Sequence, residues 1–171
     1  EVAKKLPSTD TVFLANSRRF ADGVAAGTPA ATNRTPLLLT RDTGLSAETR
    51  TYLAATPSIN KVIIVGGPVS VPASISEELK AIPNITTLER IGGADRYETT
   101  RLMMERFVIN PKHILVATGE NFPDSLTGSS LAADLEGALL LANINRIKGG
   151  GLDYARNKNA SIVDGQIIGG L

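Results

Sequence analysis

The chain has 171 residues, and its 18 Lys and Arg against 17 Asp and Glu leave a net charge of +1. That balance excludes a dedicated nucleic-acid binder, which carries a basic excess. Absence of cysteine excludes a disulfide scaffold, a thiol nucleophile and any Cys-ligated metal. A single histidine, His113, cannot build a multi-His zinc site, and without Trp there is no platform of stacked rings for sugars.

No apolar run approaches the ~20 residues needed to cross a bilayer, and no basic-then-apolar signal peptide opens the chain. The first residues, Glu1–Leu6, read as the tail of a helix whose start lies outside this sequence. Thr11–Ala15, Pro36–Leu39 and Val62–Val65 are short, almost continuously apolar runs bounded by turn signals. A sheet covered on both faces requires strands of that kind. Helix-like stretches lie between them: the Ala-rich Phe20–Asn33, Ser46–Ala54 with a capping Ser, and Pro72–Ala81 opening on Pro. Gly66-Gly67-Pro68 must turn. Strand–helix alternation with short connections predicts α/β units with a parallel sheet and helices on both faces.

Thr86–Arg90 is a further strand. Asp95 and Glu98 then have the spacing of a capping box, opening a helix over Arg96–Phe107. Tyr97, Leu102, Met103, Met104 and Phe107 lie mostly on one side of it, to pack on the sheet.

The chain next repeats itself. Val12–Thr40 aligns without a gap on Ile114–Ala142 at an offset of 102, with eight identities. They include Phe20/Phe122, Asp22/Asp124 and the triplets Leu37–Leu39 and Leu139–Leu141. Ile64-Val65-Gly66-Gly67 recurs as Ile167-Ile168-Gly169-Gly170. The sequence is thus about 1.7 periods of one unit, divided as a first repeat over 1–110 and a second, incomplete one over 111–171.

In open α/β sheets, ligands sit beyond the carboxyl ends of strands, where helix N-termini offer free N–H groups. Asn16-Ser17-Arg18-Arg19 and Thr118-Gly119-Glu120-Asn121 occupy that place. Asp22 and Asp124 fall in the first helical turn, either as caps complementing the dipole or as ligand contacts. The small residues Gly23, Ala26, Gly27, Ser125, Gly128 and Ser129 suit close helix–sheet or unit–unit packing. Arg90 and Arg96 bracket Ile91–Asp95; they either hold a phosphate or carboxylate or fasten the turn by pairing with Asp95 or Glu98. Gly66-Gly67-Pro68 lacks the P-loop Lys and the dinucleotide glycine spacing, and no G-x-S-x-G elbow is present. No cofactor is expected. Gly149-Gly150-Gly151 reads as a flexible loop, and His113 as structural or exposed.

The string Arg90-Ile-Gly-Gly-Ala-Asp-Arg-Tyr-Glu-Thr99, with the following helix, strand, Phe-x-Asp-Ser and Leu-Leu-Leu, resembles the type 2 cell-wall-binding repeat of Gram-positive surface proteins. The resemblance covers nearly the whole chain. It implies Rossmann-like units, usually three in tandem about a pseudo-threefold axis. It further implies non-covalent, non-catalytic anchoring to an anionic, teichoic-acid-like wall polymer, an extracellular location in the cell wall, and further repeats of the family as partners. The family's polymer-contacting Pro-Ile-Leu-Leu segment maps onto Pro36, Leu37, Leu38 and Leu39, and in the second repeat onto Ala138, Leu139, Leu140 and Leu141, where Ala replaces Pro. Two other readings remain open: a small enzyme using Asp22 and Asp124 together, and a self-assembly module of a surface layer.

Overall fold

The computed structural model describes residues 3–169. Its first sheet is built from β1 (Thr11–Asn16), β2 (Leu37–Thr40), β3 (Lys61–Val65) and β4 (Thr87–Ile91), all parallel in the order β2-β1-β3-β4. The connections are α1 (Phe20–Thr32), α2 (Ala47–Ala54) and α3 (Ala73–Lys80). Ser46 caps α2 by accepting from the Thr49 N–H at 3.1 Å. Successive strand residues point to opposite faces. Val12, Leu14, Val62 and Ile64 therefore meet Leu53 of α2 and Ile75 and Leu79 of α3 on one side. Phe13, Ala15, Ile63 and Val65 meet Ala25 and Ala26 of α1 on the other.

After α4 (Arg96–Phe107) comes a second sheet, β5 (His113–Thr118), β6 (Ala138–Asn143), β7 (Arg146–Ile147) and β8 (Asp164–Ile168), in the order β7-β6-β5-β8. Its helices are α5 (Phe122–Asp134) and α6 (Gly151–Asn157). β5, β6 and β8 are parallel, as the repeat predicts. β7 is not: it is a short antiparallel hairpin partner of β6, formed because the Asn143 side chain accepts from the Asn145 and Arg146 N–H groups and reverses the chain.

Three local expectations change. The chain opening is a single 3₁₀ turn at Ala3–Lys5 rather than α-helix, ahead of Pro7; Glu1 and Val2 lie outside the described residues, as does Gly170 of the repeated Ile-Ile-Gly-Gly. The triple glycine is not a loose loop. Gly149 and Gly150 adopt left-handed φ of 61° and 74° and lead directly into α6. A side chain at Gly149 would collide with the Glu98 backbone nitrogen, and the Gly149 carbonyl accepts from Arg101 Nε at 2.8 Å.

The third change concerns α4, which does not pack on one sheet alone. Met103 and Phe107 enter the first core, Met104 the second, and Tyr97 the cluster of α1, β5 and β6. Adjacent helical residues point about 100° apart, so Met103 and Met104 are both buried only because α4 is covered on two sides.

The repeated small residues join the two sheets. Thr28 Oγ1 donates to the Ser129 carbonyl at 2.9 Å, and a Cβ on Gly27 would stand 2.7 Å from Ser129 Oγ. Val24 of α1 packs with Leu115, Ala132 and Leu139 of the second unit. Among the described residues, no helix is long and apolar enough to cross a membrane.

Candidate functional site

Each sheet ends at a loop followed by a helix, and the first such edge forms a cavity. Asn16, the last residue of β1, is buried and directs the turn. Its Oδ1 accepts from the Arg18 N–H at 2.8 Å, and its Nδ2 donates to the Ser70 carbonyl at 2.5 Å. This places Arg18 and Arg19 immediately before α1, with no side-chain cap at Arg19.

Across the edge, β3 closes on Gly66, whose φ of 108° belongs to the left-handed region. The Gly66 N–H donates to the Ile91 carbonyl at 2.8 Å, and Gly67 accepts from the N–H groups of Ser70 and Val71. The Gly-Gly-Pro sequence thus makes the tight turn expected of it. Asp22 sits directly over this turn. Its Oδ2 accepts a short hydrogen bond from Ser70 Oγ, and the carboxylate occupies the space where a Cβ on Gly66 would stand. Asp22 and Ser70 are only 8% and 7% exposed. Burial raises the Asp22 pKa above its ordinary value; the Ser70 hydrogen bond and the charges of Arg19 and Arg96 oppose that rise.

The third wall is the start of α4. Asp95 Oδ1 accepts from the Glu98 N–H at 2.9 Å, as the capping spacing predicts, while Glu98 Oε2 reaches back to the Ala94 N–H at 2.7 Å. Arg96 donates from Nη1 to the Gly119 carbonyl at 2.5 Å, and its guanidinium lies 5.4 Å from the Phe20 ring centroid. Together Arg18, Arg19, Asp22, Ser70, Asp95 and Arg96 surround a cavity of about 580 Å³.

Of the sequence-predicted residues, Asp22 and Arg96 meet here. Arg90 does not line the cavity: its Nη1 donates to the Gly66 carbonyl at 2.9 Å, and its desolvated charge has a lowered pKa. It fastens the turn, though through a carbonyl rather than through Asp95 or Glu98. Asp22 does not cap its own helix but takes Ser70. Asp124 repeats the arrangement in the second unit, its carboxylate lying where a Cβ of Gly169 (φ 100°) would be. The two Asp therefore stand over different glycines at different sheets.

The apolar segments lie elsewhere. Pro36 is buried, Leu37 half-buried, Leu38 in the first core, and Leu39 is 48% exposed on the edge strand β2. Leu139, Leu140 and Leu141 are buried between two helix layers. Their side chains form core, so the second triplet has no apolar surface to offer a ligand. Sequence reasoning missed Ser70, which is 48 residues from its partner, and did not single out Arg18 and Arg19 within the loop it located.

The model of the family described as "Cell wall binding domain 2 (CWB2)" matches residues 1–76 and 90–171. Similar proteins include the N-acetylmuramoyl-L-alanine amidase LytC of Bacillus subtilis, 29% identical over 160 residues. The match covers 94% of this chain and 31% of that protein. The amidase enhancer of Bacillus subtilis is 26% identical over 157 residues, covering 92% of this chain and 21% of the relative. This chain thus spans less than a third of either. Among solved structures, Cwp6 from Clostridium difficile superposes with a TM-score of 0.82 at 25% identity, over 94% of this chain and 25% of that one. Cwp8 from the same organism superposes with a TM-score of 0.78 at 23% identity, over 99% of this chain and 28% of that one.

Proposed function

Because the chain belongs to the cell wall binding domain 2 family, we propose that it is a non-catalytic module that holds a larger surface protein on an anionic polymer of the Gram-positive wall. The observation that carries this reading is the family match across both repeats, 1–76 and 90–171. The site geometry supports the non-catalytic part. Asp22 and Asp124 are each packed on their own glycine, not poised together as the paired carboxylates that the enzyme reading needs. The polymer is a teichoic-acid-like polyanion. With a net charge of +1 the chain exerts little long-range attraction on it, and the binding is local and non-covalent, through arginines and N–H groups.

The binding unit is the repeat, here 1–110 and 111–171, and its partners are further repeats of the same family packed about a pseudo-threefold axis. An unmatched surface supports that arrangement. Phe20 and Val24 on α1 are covered by the second unit, whereas their counterparts Phe122 and Leu126 on α5 are 55% and 53% exposed.

The test is co-sedimentation with purified walls, intact or stripped of anionic polymer. Binding to intact walls, released by high salt and absent from stripped walls, is the expected result. Equal binding to stripped walls overturns the polymer assignment, and no binding to either overturns the wall-anchoring role.

A further inference from the structure

We draw no further inference here: the strongest candidate, the outer edge of β8, unpaired among the described residues and bordered by the exposed Val163 and Ile167, carries none because nothing in the structure shows what covers it.

Discussion

The Asp22 carboxylate fills the space beside Gly66 that any other residue's Cβ would need. The contact joins the first turn of α1 to the end of β3, and it recurs between Asp124 and Gly169. A glycine with φ near 100° at each place is thus required twice over, by its backbone and by the carboxylate above it.

Gly66→Ala should therefore destabilise the chain by about 1–2 kcal/mol from the left-handed backbone alone, and by more through overlap with Asp22. Gly67→Ala is the matched control. It meets nothing within 4 Å and should change stability by less than about 0.5 kcal/mol. Urea unfolding midpoints of the two variants check this, and equal midpoints would contradict it.

Asp22 makes stability pH-dependent in a sense opposite to that of an ion-paired acid. Its folded pKa is raised by burial, so between the ordinary value of 3.8 and the raised one the folded chain holds a proton that the unfolded chain has lost. The contribution of Asp22 is fully present below the ordinary value and is lost as pH rises through the folded one. Asp22→Asn should remove that decline. Denaturant unfolding across the interval reads the difference between the two slopes.

Gly27→Val tests the joint between the units. The Cβ alone would approach Ser129 Oγ to 2.7 Å and Ser129 Cβ to 3.1 Å, and the added methyls should cost about 1–3 kcal/mol. Thermal unfolding should show the loss. Gly23→Ala, with open space around it, should show none.

Arg96→Ala should weaken wall binding more than His113→Ala. Arg96 lines the cavity with Nη1 on the Gly119 carbonyl and its other nitrogens free to donate, and a charge-assisted hydrogen bond from these to a polymer anion is a class of contact worth about 1.5–3 kcal/mol, or roughly tenfold and upward in affinity. His113 opens β5 with Nδ1 buried and unpartnered among the described residues. Co-sedimentation of both folded variants decides it, and identical binding would remove Arg96 from the site.

The matched leucines should separate by stability. Leu141→Ala opens a cavity in a buried position and should cost about 2–5 kcal/mol. Leu39→Ala, half-exposed on an edge strand, should cost under about 1 kcal/mol. If Leu39 contacts the polymer, its truncation weakens wall retention while leaving the unfolding midpoint nearly unchanged.

Local pattern alone determined most elements of this protein, though not the opening 3₁₀ turn, β7 or α6. β-branched apolar runs, the Ser46 and Asp95 caps and the glycine turns are short-range signals, and the helix over Arg96–Phe107 matches the structure residue for residue. The repeat was legible because aligned side chains recur at a constant offset, and with it came the family and the two places where a helix follows a strand end. Tertiary structure decided what those residues do. Ser70 reaches Asp22 across 48 positions, Arg96 reaches Gly119 across 23, and Leu39 is exposed while its aligned counterpart Leu141 is core. Each depends on which surfaces meet once both sheets have packed against α1, α4 and α5. Burial, and with it the pKa of Asp22 and the availability of Arg18 and Arg19, is a property of that packing and not of any neighbour in the chain.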